Sequence, residues 1–357
     1  MYRSNRAHWV LSIVIFSLGI FLAASCLSDS AGMGKYGPPD SSVALGDQSG
    51  APGTMEAPDE SAVPRIVVLG DPHLPYKRTE SAEAKMSETI IGAKQRVIDT
   101  INTWAGVTRV VAVGDIAGSW GTDGEYRFAA ELLSRLSAPF VSITGNHDYI
   151  YKDEPETARK LHRGDATCRA EKLRRFMSYF RLTSLQREES IAGYELVYLS
   201  SDSTDTRYQV GLSESALRWL EQTLRRTADK PTIIFYHAPL AGTLIRDGEP
   251  ISTSSSYAAQ PATAIDAILK RNPQVFLWVS GHTHTAPDDP SFNSPQNLYD
   301  GRITDIHCSD MGHERIYTNI LWLYPDRVVV KTYDYSASAY LQGKNRTVLL
   351  PVLPAKP

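Results

Sequence analysis

Six short apolar runs, each closed by glycine, serine or histidine, limit most what this chain can fold into. They are RIVVLG at 65–70, RVVAVG at 109–114, FVSITG at 140–145, LVYLSS at 196–201, TIIFYH at 232–237 and VFLWVSG at 275–281. Runs this brief and this rich in valine and isoleucine read as strands covered on both faces. Longer amphipathic segments lie between or beside them, at 84–104, 125–136, 170–179, 213–227 and 262–271. Ser213 and Glu214 ahead of ALRWLEQTL form the clearest helix start. Strand and helix in alternation predict an α/β fold. Further on, TNILWLYPDRVVVKTYDY at 318–335 reads as a hairpin around Tyr324-Pro325-Asp326, and the final residues 341–357 read as a surface tail.

The ends of the chain carry a second kind of information. Arg3 and Arg6 precede an apolar stretch at 9–24, which is the layout of an export signal. The stretch falls short of the roughly 20 residues that span a bilayer, yet an uncleaved anchor stays open as an alternative. Ala23-Ala24-Ser25-Cys26 resembles a bacterial lipoprotein cleavage box, departing from it at Ala23, where a larger aliphatic residue is usual. Residues 1–26 are then a signal peptide, and a lipid on Cys26 would hold the protein to the periplasmic or extracellular face of a membrane. A plain secretory signal is the other alternative. Residues 27–64 are rich in Gly, Pro, Ser, Asp and Ala without apolar period, as in a flexible tether, and 65–340 form the globular domain. In an oxidising compartment Cys168 and Cys308 make either one disulfide or two separate buried thiols. With 42% hydrophobic residues and a net charge of −3, the body is that of a soluble globular protein without the basic excess of a nucleic-acid binder.

Chemistry gathers where the strands end. Asp71 and His73 follow the first run, Asp115 the second, and Asn146, His147 and Asp148 the third; His237 closes the fifth, and His282 and His284 follow the sixth. Ligands of open α/β sheets bind at such carboxyl ends. Asp71 or Asp115 alone would be an ordinary turn or cap residue, and His237 alone a satisfied, half-buried histidine. Two imidazoles in GHTH at a buried strand end need partners, and the joint set is a metal-ligand set. Its mixed oxygen and nitrogen donors exceed what one tetrahedral ion takes and suit two divalent ions among Mn, Fe, Zn, Ni or Co. In D-x-H and H-x-H, period two turns both side chains to one side. Other polar residues read more plainly. His307 and His313 read as loop packing, Trp120 as packing, Asp202, Ser203 and Asp205 as turn formers, His162 as solvated, and Trp219 and Leu220 as core.

The order D-x-H, GD, GNHD, H, GH-x-H, present as DPH, GD, GNHD, YHAP and GHTH between Asp71 and His284, resembles the calcineurin-like metallophosphoesterase family. The resemblance implies a four-layer αββα sandwich of two mixed β-sheets flanked by helices. It implies one ion on Asp71, His73 and His284, a second on Asn146, His237 and His282, and Asp115 as the bridge. His147 would act catalytically near the phosphate and its leaving oxygen, oriented by Asp148 through a hydrogen bond that the carboxylate accepts from its ring. The tyrosine that purple acid phosphatases carry three residues after the GD aspartate is here Gly118, so a charge-transfer iron site is not expected. The implied activity is hydrolysis of a phosphoester by a metal-bridging hydroxide, on a phosphorylated small molecule or lipid. Monoester or nucleotide hydrolysis and phosphodiester hydrolysis both remain open, with a non-catalytic metal-binding lipoprotein as the rival. Segments 152–167, 240–257 and 285–306 are expected to line the pocket.

Overall fold

Residues 60–76, 84–154 and 160–353 are described by the computed structural model of the chain. In order they form β1 (Arg65–Leu69), α1 (Ala84–Ile101), β2 (Val107–Val113), α2 (Asp123–Leu133), β3 (Phe140–Ile143), the single turn α3 (Asn146–Tyr149), α4 (Ala166–Tyr179), β4 (Arg187–Ile191), β5 (Tyr194–Leu199), α5 (Glu214–Arg226) and β6 (Thr232–Tyr236). Then come the short pair β7 (Ile245–Arg246) and β8 (Glu249–Pro250), α6 (Ala262–Lys270), β9 (Val275–Ser280), β10 (Leu298–Tyr299) and β11 (Ile303–His307). The described chain closes with β12 (Tyr317–Leu323), β13 (Arg327–Asp334), β14 (Ala339–Tyr340) and β15 (Arg346–Leu349).

Two mixed sheets result. One runs β14-β13-β12-β1-β2-β3, with β15 also on β13; β1, β2 and β3 are parallel, and β12 and β13 antiparallel. The other runs β10-β11-β9-β6-β5-β4, four parallel strands between antiparallel edges. Period-two alternation explains the layers. Ile66 and Val68 of β1 join Ile233, Phe235, Leu277 and Val279 in a core between the sheets, while Val67 and Leu69 turn outward onto Ala93, Val97 and Ile98 of α1. On the far side Ile234, Tyr236 and Trp278 pack against Leu220 and Leu224 of α5 and Ile265 and Leu269 of α6. Each such side chain contributes roughly 1.5–3 kcal/mol by leaving water. The layers are therefore helix, sheet, sheet, helix, in agreement with the expected sandwich. A bulge between β6 and β9 shifts the register after Thr232, so Phe276 and Leu277 both enter the core between the sheets.

Two expectations change, and one open alternative is resolved. Residues 341–357 are not simply a tail, because Arg346–Leu349 adds a strand to β13 and the buried Arg346 donates to Phe292 O and Asn319 Oδ1, each at 3.1 Å. His307 closes the buried strand β11 rather than sitting in a loop. Cys168 and Cys308 are separate free thiols, Cys308 buried as that alternative has it and Cys168 only half-buried. The packing roles read for Trp120, Trp219 and Leu220 agree with the structure. The signal segment, Cys26 and the tether up to residue 59 lie outside the described residues. Among the described residues no helix is long and apolar enough to cross a membrane.

Candidate metal centre

The seven predicted donors converge at the carboxyl ends of β1, β2, β3, β6 and β9. One ligand atom from each of Asp71, His73, Asp115 and His284 lies within 4.8 Å of the others, and so do atoms of Asp115, His237 and His282. Asp115 belongs to both groups. Asn146 enters through Oδ1, 3.2 Å from His237 Nε2, which is itself 3.4 Å from Asp115 Oδ1. His73 Nε2 faces His284 Nε2 at 3.2 Å, and Asp71 Oδ1 lies 3.3 Å from the latter. Imidazole nitrogens and carboxylate oxygens converging on one another are a set that cations satisfy, so the residues fit two divalent ions.

The backbone is bent to achieve this. Of the ten non-glycine residues with positive φ among the described residues, five are Asp71, His73, Asp115, His282 and His284, with φ between 39° and 66°. Such conformations are uncommon outside glycine and concentrate at functional sites. Gly145 and Gly281 are needed for room rather than for bending. A Cβ on Gly281 would lie 2.1 Å from Asp71 Oδ2, and one on Gly145 2.3 Å from Asp115 Oδ1.

Hydrogen bonds select the donor atom of each ring. His237 Nδ1–H donates to Val113 O at 2.8 Å, leaving Nε2 for the centre, whereas His282 Nε2–H donates to Ser256 O at 3.0 Å, leaving Nδ1. His284 Nδ1 lies 3.5 Å from the buried Asp310, a residue that sequence reading passed over. Its signal was weak, since Asp310 follows a short strand that carries no glycine ending. Lys94 of α1 was also missed; fully buried, it donates to His73 O at 2.7 Å and Pro75 O at 3.1 Å, pinning the turn that carries His73.

Charges in the cluster depend on one another. Burial opposes ionisation of Asp115, but His237, His147 and His73 around it hold its carboxyl well below the usual range. Burial likewise opposes protonation of His237, yet the Asp115 carboxylate raises it to about 9; burial, and then the charge of His237, push His282 down to about 3.

The role expected for Asp148 is corrected. Its carboxylate accepts backbone N–H bonds from Gly145 at 2.8 Å, Ala117 at 2.9 Å and Ile116 at 3.3 Å, binding the Asp115 turn to the Asn146 turn. Burial, and then the Asp115 charge, raise its pKa to about 7. The ring of His147 is instead oriented by Ser119 O, which accepts from Nδ1–H at 2.8 Å, while its backbone N–H donates to Asp115 Oδ1 at 2.7 Å. Its Nε2 stands 4.0 Å from Asp115 Oδ2. Gly118 has no room for a tyrosine, because a Cβ there would meet Tyr76 O at 2.4 Å.

Above the donors opens a cavity of about 410 Å³. Its wall includes His147, Tyr151, Leu161, Gln209, Arg246 and Tyr257. Two expected lining segments, 152–167 and 240–257, thus reach it. Segment 285–306 does not appear in that wall and instead forms β10 and part of β11.

A sandwich whose strand ends hold two donor groups joined by one carboxylate belongs to the class of dinuclear metal-binding proteins. The calcineurin-like phosphoesterase profile matches residues 64–286, and the chain belongs to that family, whose cofactors are two divalent metal ions. It is similar to the glycerophosphodiester phosphodiesterase GpdQ of Enterobacter lignolyticus, with 27% identity over 176 residues, 49% of this chain and 55% of that protein. It is also similar to a 3',5'-cyclic-nucleotide phosphodiesterase of Nostoc sp., with 25% identity over 179 residues and the same two shares. The chain spans about half the length of these curated relatives. Among solved structures, a purple acid phosphatase from yellow lupin seeds aligns with 80% of this chain and 53% of its own at a TM-score of 0.48 and 14% identity.

Proposed function

We propose that this protein hydrolyses phosphodiesters at a dinuclear metal centre. The observation that carries the reading is Asp115, the carboxylate common to both donor groups. Asp71, His73 and His284 would hold one ion, Asn146, His237 and His282 the other, and Asp115 both. When bound, two divalent ions, from among Mn, Fe, Zn, Ni and Co, supply Lewis-acid charge to the phosphoryl oxygens and an acidified water for in-line attack. The chain's own contribution is positional. Asp148 and Lys94 keep the donor turns together, and the Ser119 carbonyl aims Nε2 of His147 into the cavity. Protonated there, His147 donates to the departing alkoxide, the work of a general acid near neutral pH.

Diester rather than monoester substrates are supported by the wall of the cavity. Among the described lining residues Arg246 is the single lysine or arginine, whereas a dianionic monoester calls for several charge-assisted donors. Similarity to two proteins named as phosphodiesterases points the same way. We further propose that the N-terminal segment exports the chain and that Cys26 receives a lipid, which labelling with a radioactive fatty acid in wild type and Cys26→Ser would test.

The deciding assay compares bis(p-nitrophenyl) phosphate with p-nitrophenyl phosphate in the presence of Mn or Zn. Faster diester turnover, abolished by chelation, is expected. Asp115→Asn should lower the rate and the metal content together, while His147→Ala keeps two metals and loses about 10²–10⁴ in rate. Turnover that survives chelation, or a preference for the monoester, refutes the proposal.

A further inference from the structure

We propose that Arg246 reads the substituent on the far side of the scissile phosphate, selecting diesters whose second alcohol carries an anionic group and rejecting those that carry a quaternary ammonium. The inference rests on the phosphodiesterase reading and adds the substrate class.

The argument begins with the hairpin that presents Arg246. Asp247 and Gly248 have φ of 53° and 83°, the pair of left-handed residues that a two-residue type I′ turn demands, and Asp-Gly is its favoured sequence. Arg246 pairs with Glu249 and Ile245 with Pro250. The base of the hairpin is fastened on several sides. Gly242 N–H donates to Ile251 O at 2.7 Å, Ile251 N–H to Leu244 O at 2.9 Å, and Ile245 N–H to Ser291 Oγ at 3.2 Å. Beneath it the buried Asp305 accepts from Leu240 N–H and Thr243 Oγ–H at 2.8 and 2.9 Å, tying the segment to β11. Arg246 is thus exposed at the tip of a hairpin whose base is fastened.

Its guanidinium lies over the ring of Tyr257, 3.8 Å from the centroid, and forms no ion pair with any described residue. Tyr257 in turn packs on His282, with ring centroids 5.8 Å apart. These two distances keep the guanidinium within about 10 Å of a histidine of the metal centre. Arg246 is exposed while Asp115, Asn146 and His147 on the same wall are buried, so the guanidinium stands at the outer part of the cavity, on the side of the group carried by the second alcohol.

Two features set the sign of the selection. Quaternary ammonium groups are recognised by open aromatic faces, often with carboxylates close by. Here a guanidinium already covers the Tyr257 face, and the only carboxylate among the described lining residues is Asp115, deep in the metal centre. An unpaired guanidinium held by stacking keeps its donor fork available for a carboxylate or phosphate.

The test uses the full chain loaded with Mn and three diesters that share the p-nitrophenyl leaving group and differ in the other alcohol: 2-carboxyethyl, n-propyl and choline. Wild type is expected to rank them in that order, with kcat/KM separating the first from the last by roughly 10- to 100-fold, chiefly through KM, as for one charge-assisted hydrogen bond. Arg246→Ala should bring the three within about 3-fold, Arg246→Lys should keep the order with a smaller spread, and Arg246→Glu should reverse it. An unaltered ratio in Arg246→Ala, or an equal slowing of all three esters, overturns the inference while leaving phosphodiester hydrolysis standing. Failure to turn over these esters and bis(p-nitrophenyl) phosphate alike removes the phosphodiesterase reading, and this inference with it.

Discussion

Replacing Gly281 by alanine tests the metal centre without removing any donor. The added Cβ would lie 2.1 Å from Asp71 Oδ2, 3.1 Å from its Cγ and 3.3 Å from Val113 Cγ2. Since Cβ contacts under 3.0 Å are essentially never seen, the carboxylate must retreat by at least the 0.9 Å between 3.0 and 2.1. Retreat is resisted on every side. Asp71 is fully buried, accepts from the His282 N–H at 2.9 and 3.0 Å, and sits at φ 39°. The strain should cost about 1–3 kcal/mol, as overpacking of a close-packed site does. Displacing one donor by this much should weaken loading of the first ion about 10- to 100-fold, as loss of a ligand's support does. The assay is calorimetric titration of the metal-free protein with Mn or Zn, alongside thermal unfolding in chelator. Gly193→Ala is the control. With φ +86° and no atom within 4 Å of its Cβ, it carries backbone strain of about 1–2 kcal/mol and leaves the metal sites intact. If Gly281→Ala binds two ions with wild-type affinity while Gly193→Ala behaves as stated, Asp71 is not a ligand and the geometric reasoning fails.

Two more outcomes follow from the fold. Burial pushes the Cys308 thiol up to about 12, which disfavours the reactive thiolate at every pH below that value. Mass spectrometry after iodoacetamide at pH 8 should therefore find Cys308 unmodified in the folded protein and modified in denaturant, the native rate rising with pH; rapid native labelling would refute the burial. Truncation after Gly343 removes β15 and the two bonds of Arg346, and should destabilise the protein by at least about 1–3 kcal/mol in a denaturant titration. Stability equal to that of the full chain would show that β15 contributes nothing.

Much of the centre was legible because each donor sits one to four residues beyond a strand that betrays itself by composition. DPH, GD, GNHD, YHAP and GHTH needed no knowledge of distant contacts, and the structure brings their seven side chains together. The parts that escaped depend on neighbours far along the chain. Asp148 stands beside His147 in sequence, which invites a bond to its ring, yet Gly145, Ala117 and Ile116 offer it N–H donors while Ser119 reaches the imidazole first. Asp310 and Lys94 become relevant only because β11 and α1 lie against the donor turns. Asp247-Gly248 did carry a local hairpin signal; what it could not convey is that the hairpin overhangs a metal centre.

Amino-acid order alone determined the core strands that carry the donors, the burial of both of their faces, and the kinds of atom gathered where they end, because these depend on side-chain chemistry and a two-residue period. Tertiary structure decided which nitrogen of His237 and of His282 points inward, which groups hold the donor turns together, and which cation overhangs them. Those choices rest on carbonyls, amides and aromatic faces brought close by packing, from segments separated by up to 211 residues.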